Sequence, residues 1–543
     1  MATPLEPGAV LWDDEIRPYR IHVSSKYLDL TRQKLELTRL PHETSGPTSR
    51  DWWEPKTQIE PLIDFWLEKY DWRQQEDVFN DQLPQFRTAV TVPGSESPVR
   101  LHFVHVRSPH EHAVPLILVP PFPFANLSLG HLIRPLAEPE DPDEQQPFHV
   151  VIPSLPGLGF SDALPGNTPV IPATADILDL VMSRLSYKHY LVSNTSSAAS
   201  SPAGIDWRLA NHLAMYHSGS CLGAHFINPL LSAPTLKEAP LEWMKWSIAR
   251  LFRAPLFGYQ SEDMLSLNQA GPAPGRSTSP ISPGPASVIE PNTPSYALCD
   301  SPVGLLTLVL KIIRVLGVQK DFSEADIITF TQTAWLPGPE AAMRLWAYCL
   351  THQEKGLPRP AKKPDVAITV FSGVAKDADV EAQNTLPRAA LVPYACPAWA
   401  NVSYNAVHIR RIAGSPGLVA RDRPELIGEG VRGLASRLLS SSGGSRLRNR
   451  EQPGTAPLRE VVVVVPPDSA SGGESRPQPR SPQTMAPTAQ GEATWRLERI
   501  RESSETPNKT RPEDRARAGP DADFDGASPD TIVVTPPLNE GLR

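Results

Sequence analysis

The sequence predicts an α/β fold organised on a mostly parallel sheet, and three short apolar runs predict it. Leu116–Val119, His149–Ile152 and Tyr190–Val192 have the length and aliphatic composition of strands buried on both faces. Each empties into a small or rigid loop: Pro120–Pro123 (PPFP), the Gly/Pro-rich Ser154–Asp162, and Ser193–Ser201, which is small polar residues and Ala. Open parallel sheets place their working crevice at the strand C-termini, so these three loops are where a site is expected.

The other elements come in order. Leu28–Thr38 sets Leu28, Leu30, Leu35 and Leu37 among charges and reads as an amphipathic helix closed by Pro41. Thr57–Tyr70 is a second helix, with Ile59, Leu62, Ile63, Trp66 and Leu67 on one face, and Trp72, Phe79 and Phe86 anchor the segment after it. Thr88–Val92 and Leu101–Val106 read as a hairpin with Gly94 in its turn. Leu127–Pro135 begins a helix, Phe148–Ile152 is a strand, and Pro172–Leu185 is the next helix. Pro202 fits the first position of a helix running to His217, with Ser201 as N-cap. Leu241–Phe252, bearing Trp243 and Trp246, opens a helical excursion through Pro302–Leu316, Glu324–Leu336 and Ala341–Thr351. Within it, Gln260–Glu290 contains PAPGRSTSPISPGPAS, which cannot build a core and reads as a flexible insertion. Val366–Phe371 returns to the sheet and Pro424–Leu439 is the closing helix.

Composition bounds the function. The chain has 543 residues, enough for more than one domain, and 61 prolines, about double average usage. From about Ser440 it turns rich in Pro, Ser, Gly and Arg, and residues 441–543 read as a disordered tail. The net charge of −8 argues against nucleic acid as the main partner. Cys221, Cys299, Cys349 and Cys396 lack metal-ligand spacing and read as buried thiols of a reducing compartment. No metal and no cofactor are expected. Met1–Asp14 has neither the basic start nor the apolar core of a signal peptide. Val303–Val318 is interrupted by Lys311 and Arg314 and is too short to span a bilayer. The expectation is a soluble, cytoplasmic protein.

Specific motifs add a family. PSLPGLGFSD (Pro153–Asp162) resembles the PSLPGYGFSD loop of microsomal-type epoxide hydrolases, enzymes of the α/β-hydrolase fold. Ile16–Pro41 (IRPYRIHVSSKYLDLTRQKLELTRLP), Asp64–Phe86 (DFWLEKYDWRQQEDVFNDQLPQF), Leu101–Arg107 (LHFVHVR), Tyr296–Leu305 (YALCDSPVGL) and Arg423–Leu426 (RPEL) extend the resemblance over roughly Ile16 to Leu439. It implies an epoxide hydrolase N-terminal domain at 13–87, a helical meander that wraps the core and packs against the lid. It implies a hydrolase core at 88–235 and 363–440, and a lid at 236–362 carrying the insertion at about 260–290. Microsomal members carry an N-terminal membrane anchor; this chain opens directly in the family's N-terminal region, so no anchor is expected.

The implied reaction opens an apolar epoxide to a vicinal diol. A carboxylate attacks carbon to form an ester, a His activates water, an acid orients the His, lid tyrosines bind the epoxide oxygen, and backbone N–H groups hold the oxyanion. The family's HGWP oxyanion loop aligns with Pro120–Pro123, where Pro121 replaces Gly and the Phe122 N–H remains available. Two residues compete for the nucleophile. Counting forward from the strand gives Ser196, the nucleophile of an esterase. Counting back from CLGAHF (Cys221–Phe226) gives Asp206 in Gly204-Ile205-Asp206-Trp207, similar to the family's GGDWG but followed by Arg208 where a small residue is usual. His408 is the one His late enough to be the base. Asp377 or Asp379, with Glu381 behind them, could be the acid. Trp346 aligns with a lid Tyr position, so Tyr348 and Tyr259 are the candidate phenols. A second expectation is a binding module on the same fold, because the packing motifs persist where the catalytic motifs depart. In the tail, Val461–Val465 and Thr531–Val534 are β-branched runs near Asp468 and Asp530, similar to SUMO-interacting motifs, and suit strand addition to a protein partner.

Overall fold

A computed structural model describes residues 15–42, 55–95, 97–166, 168–269, 290–317, 320, 322–352, 360, 362–372, 394–440 and 447. The chain divides into two units, Met1–Pro467 and Asp468–Arg543, and every described residue lies in the first.

The N-terminal region supplies β1 (Arg17–Pro18), α1 (Ser25–Glu36), α2 (Lys56–Glu68) and α3 (Trp72–Gln82). Asp71 caps α3 by accepting the Arg73 amide at 2.8 Å. Glu76, buried in α3, accepts the Val23 amide and the Trp72 indole, both at 2.9 Å, and so fastens the segment between β1 and α1. Next come β2 (Gln85–Val90), β3 (Val99–Val106), β4 (Val114–Val119), α4 (Ile133–Ala137), β5 (Phe148–Pro153), α5 (Val170–Arg184), β6 (Tyr190–Asn194), α6 (Ile205–Tyr216) and β7 (Cys221–Ile227). The excursion is α7 (Pro240–Phe252), α8 (Ser261–Gln269), α9 (Asn292–Asp300), α10 (Pro302–Leu316), α11 (Glu324–Trp335) and α12 (Glu340–Thr351). The chain returns through β8 (Asp365–Phe371), β9 (Asn405–Ile412), α13 (Val419–Asp422) and α14 (Glu425–Ser440).

The nine strands form one sheet in the order β1-β2-β3-β5-β4-β6-β7-β8-β9. Pairing is antiparallel from β1 to β5 and parallel from there to β9. The apolar run of β4 is explained by burial on both faces. Ile117 and Val119 enter one core cluster, which includes Leu178 of α5 and Leu209 of α6. Leu116 and Leu118 enter the other, which includes Leu136 of α4 and Leu434 of α14. Alternate residues of one strand therefore fill two cores.

The meander and the lid share a third cluster, in which Leu35, Ile59, Leu62 and Trp66 pack on Val303, Leu306 and Leu310 of α10 and Ile328 of α11. Three polar ties fix the contact: Trp66 Nε1 donates to Gln332 Oε1 at 2.7 Å, Trp335 Nε1 to Thr31 Oγ1 at 3.0 Å, and Tyr70 Oη lies 3.0 Å from Thr329 Oγ1. The lid helices are well delimited. Ser301 caps α10 through the Gly304 amide at 2.9 Å, Ser323 and Asp326 form a capping box on α11, and Glu290 accepts the amides of Asn292 and Thr293 at the start of α9.

Several sequence expectations are corrected. Pro202 does not open α6: residues Pro202–Gly204 are a separate turn with Ala203 and Gly204 at φ 52° and 58°, Ser201 makes no capping bond, and the helix starts at Ile205. Residues 405–412, which carried no strand reading, form β9, the edge strand beside β8. Gln260–Gln269 is not part of a flexible insertion but leads into and forms α8, with Asp263, Met264 and Ser266 buried; residues 270–289 lie outside the described residues. Leu447 is buried in the second core cluster. All four cysteines are free, and Cys299 is exposed rather than buried. Among the described residues no single helix is long and apolar enough to cross a membrane, and no group of three or more His, Cys, Asp or Glu could hold a metal ion.

Candidate functional site

The site is built from the loops after β4, β5 and β6. After β4 the chain runs through Pro120–Phe124, with a cis peptide at Phe122–Pro123 and the Phe124 amide donating to Pro121 O at 2.8 Å. After β5 the loop closes on itself: Ser154 Oγ donates to Leu158 O at 2.7 Å, and Gly157 N to Asp162 O at 2.9 Å. Gly157 is required twice over. Its φ is +83°, and a Cβ there would sit 2.7 Å from Ala341 Cβ of α12. The loop can thus lie directly against the lid.

A cavity fills the space between these two loops and helices α10, α11 and α12. Phe122, Phe124, Leu158, Leu308, Phe330 and Trp346 are among the residues that line it. Its volume is about 50 Å³, counted as room for the centres of water-sized molecules. Every lining side chain is apolar except the Trp346 indole, whose ring meets Phe122 edge-on at 6.3 Å. Such a chamber suits an apolar molecule of modest size.

The loop after β6 is organised differently. Thr195 Oγ1 donates to Val119 O at 2.7 Å and Asn194 Nδ2 to Ser196 O at 2.6 Å, which folds the loop over the end of β4. Asp206, in the first turn of α6 and fully buried, accepts both the Ser196 amide at 3.2 Å and the Ser196 hydroxyl at 2.6 Å through Oδ2. Burial raises its pKa, while Ser196, the Trp207 amide and Ser201 pull the other way. The two competing nucleophile candidates are therefore hydrogen-bonded to each other. Neither lines the cavity.

His408 lies elsewhere. His408, the candidate base, sits within β9, in register with Ala367 of β8 and four residues before the strand ends. Its ring packs under α14 at Gly433, where an added Cβ would come within 2.6 Å of Cδ2 and Nε2. The side chain thus points to the α14 face of the sheet, whereas α6, with Asp206 in its first turn, packs in the other core. Burial, then Arg410 and Arg437, lower the His408 pKa. Beside it His225 bridges Ser193 Oγ at 3.0 Å and Thr369 Oγ1 at 2.9 Å, and burial lowers its pKa to about 3, so this imidazole is neutral.

The epoxide hydrolase N terminus family matches residues 16–129. A putative epoxide hydrolase of Stigmatella aurantiaca is 28% identical over 53% of this chain and 58% of its own length. Juvenile hormone epoxide hydrolase 2 of Ctenocephalides felis is 25% identical over 55% and 60%, and epoxide hydrolase 1 of Sus scrofa is 25% identical over 60% and 70%. The chain thus spans a little over half the length of the first two. Among solved structures, Aspergillus niger epoxide hydrolase superposes with a TM-score of 0.58 over 77% of this chain and 95% of that one, at 19% identity. Bombyx mori juvenile hormone epoxide hydrolase gives 0.56 over 77% and 94%, at 20% identity. The chain is similar to epoxide hydrolases over more than half of its length. Its fold is the α/β-hydrolase fold, and the meander lies within the residues that match the epoxide hydrolase N terminus.

In this epoxide hydrolase relative the remaining predicted site residues are dispersed. Tyr348, on α12, stacks on His352 at 4.3 Å and is not part of the cavity lining. Tyr259 is buried against Trp246, with ring centroids 5.4 Å apart, and is likewise outside the lining. Phe122 does line the cavity. Asp377, Asp379 and Glu381 lie outside the described residues. Arg208, awkward as the residue after a nucleophile, has a clear local role: its guanidinium donates to the carbonyls of Cys349 and His352 and covers the C-terminal end of α12.

One charged cluster went unnoticed in the sequence. Arg411, next to the end of β9, grips Asp263 of α8 with two bonds of 2.9 Å; the Tyr394 hydroxyl also donates to Asp263, and the Gln260 amide adds a bond at 2.8 Å. Asp263 is fully buried. Only spatial proximity links Asp263 and Arg411, which are 148 positions apart; no spacing in the sequence marks them as partners.

Proposed function

We propose that this epoxide hydrolase-like α/β hydrolase takes an apolar epoxide into the cavity between the Pro120–Phe124 loop, the Ser154–Asp162 loop and the lid. The observation that carries the reading is the composition of that cavity, whose walls are aliphatic and aromatic with a single side-chain N–H among them. The names of the relatives support the ligand class.

The fate of the captured epoxide has two readings. In the first the epoxide is opened to a diol, with Asp206 as the carboxylate that forms the ester, His408 as base and Asp377 as acid. The relatives favour it. In the second the ligand is held without turnover, and the placement of Asp206, Ser196 and His408 outside the cavity wall favours that. A single experiment separates them. The full chain is incubated with a styrene-type epoxide, diol is measured by chromatography, and the protein is weighed for an ester adduct. Hydrolysis requires diol formation that Asp206→Ala abolishes. Saturable binding with no diol above the buffer rate establishes capture. Diol formation unchanged in Asp206→Ala removes Asp206 from the mechanism.

A reducing, cytoplasmic setting belongs to the same proposal, supported by four cysteines that all remain free. A protein partner for the tail runs Val461–Val465 and Thr531–Val534 is likewise proposed from sequence alone, since both lie outside the described residues.

A further inference from the structure

We propose that the Trp346 indole N–H is the group that recognises the oxygen of an apolar, acceptor-only ligand in the cavity. This rests on the reading of the cavity as a ligand site. Trp346 is only 2% exposed, and its Nε1 has no hydrogen-bond partner among the described residues. A buried N–H without an acceptor is a standing penalty that native structures rarely carry. Here the ring forms part of the wall of a chamber large enough for a small molecule.

The rest of the wall offers almost nothing polar. Among the lining side chains the indole is the one with an N–H donor. Backbone donors are largely absent or engaged. Pro123, Pro337 and Pro339 have none. The amides of Phe124, Gly157, Leu158, Gly338 and Met343 donate to Pro121, Asp162, Leu155, Trp335 and Pro339. Among the described residues, no lining side chain carries an oxygen acceptor. An oxygen that accepts and does not donate, as in an epoxide or ether, therefore satisfies the indole and leaves nothing of its own unpaired. An alcohol or diol brings O–H donors that the lining side chains cannot receive.

Two probes of matched shape test this without any turnover: benzyl methyl ether and propylbenzene, which differ by one oxygen in place of a methylene. Affinities for the full chain are measured by ligand-observed NMR competition. In Trp346→Phe the affinity ratio of ether to hydrocarbon should fall by about three- to tenfold, the worth of one neutral hydrogen bond, with propylbenzene affinity changed by less than about twofold. An unchanged ratio overturns the assignment of Trp346 while leaving the cavity as a ligand site. Failure of both probes to bind the unaltered chain overturns the ligand-site reading and this inference with it. A second measurement needs no variant. Among the indole resonances of the 12 tryptophans, the one with contacts to Phe122 should move downfield with benzyl methyl ether and not with propylbenzene. Equal response to both probes overturns the proposal.

Discussion

Asp206 sets solvation against hydrogen bonding within one side chain. Removal from water disfavours its charge, and the Ser196 bonds favour it; the balance leaves its pKa raised. The unfolded carboxyl titrates near 3.8. Between that value and the higher folded one, the folded chain keeps a proton that the unfolded chain has lost. The stability this group contributes is therefore complete below 3.8 and falls as pH rises through the folded value. Asp206→Asn keeps an acceptor for Ser196 and removes the charge, so it should flatten this dependence in urea melts at pH values above the unfolded carboxyl's 3.8. Asp206→Ala leaves the buried Ser196 donors unsatisfied and should lose about 1–3 kcal/mol. A steeper pH dependence in the Asn variant would show that ionised Asp206 stabilises the fold. The sequence pointed to this carboxylate through Ile-Asp-Trp, but not to its partner, because the ten positions between Ser196 and Asp206 are bridged only in space.

At the scale of elements, the glycines of α14 let imidazoles lie beneath a helix. Gly430 stands over His225 and Gly433 over His408. Gly433→Ala should destabilise by about 1–3 kcal/mol through overpacking, and His408→Ala on that background should recover part of the loss. A purely additive cycle would mean that the ring and the helix do not touch. This contact also explains what the sequence hid. The strands β4, β5 and β6 were legible because burial on both faces leaves an unbroken apolar run. By contrast β9, NAVHIRRI, is a half-exposed edge strand carrying His408, Arg410 and Arg411, and its alternation is blurred by charge. The short helix α8 was masked for a similar reason: SEDMLSLNQ stands beside a Pro-rich stretch, and its anchor, Asp263, pairs with a residue 148 positions away.

At the scale of the whole molecule, the N-terminal meander acts as a bracket on the lid. Trp66 is the centre of that contact, packed in the third cluster and bonded to the buried Gln332. Trp66→Phe keeps most of the packing and orphans Gln332 Oε1, so a loss of about 1–3 kcal/mol is expected in chemical unfolding. Because Phe330 and Leu308 on the bracketed helices line the cavity, ligand affinity should weaken in the same variant. Unaltered stability and affinity would mean that the lid stands without its bracket. The scaffold was readable because its packing motifs are contiguous in sequence. The candidate site was not, since its chamber is assembled from loops and lid helices separated by up to some two hundred residues.

The Asp263–Arg411 pair has a consequence for how this chain can change over generations. It pins α8 to the sheet, and Glu290 pins the start of α9, on either side of residues 270–289. For a connector held at both ends, doubling its length raises the closure entropy by only about 0.6 kcal/mol. Insertions between residues 270 and 289 therefore cost little closure entropy, whereas loss of the Asp263–Arg411 pair removes a buried tie. Among close relatives, this stretch should drift in length and composition while the Asp, the Arg and the helix-capping Glu stay fixed.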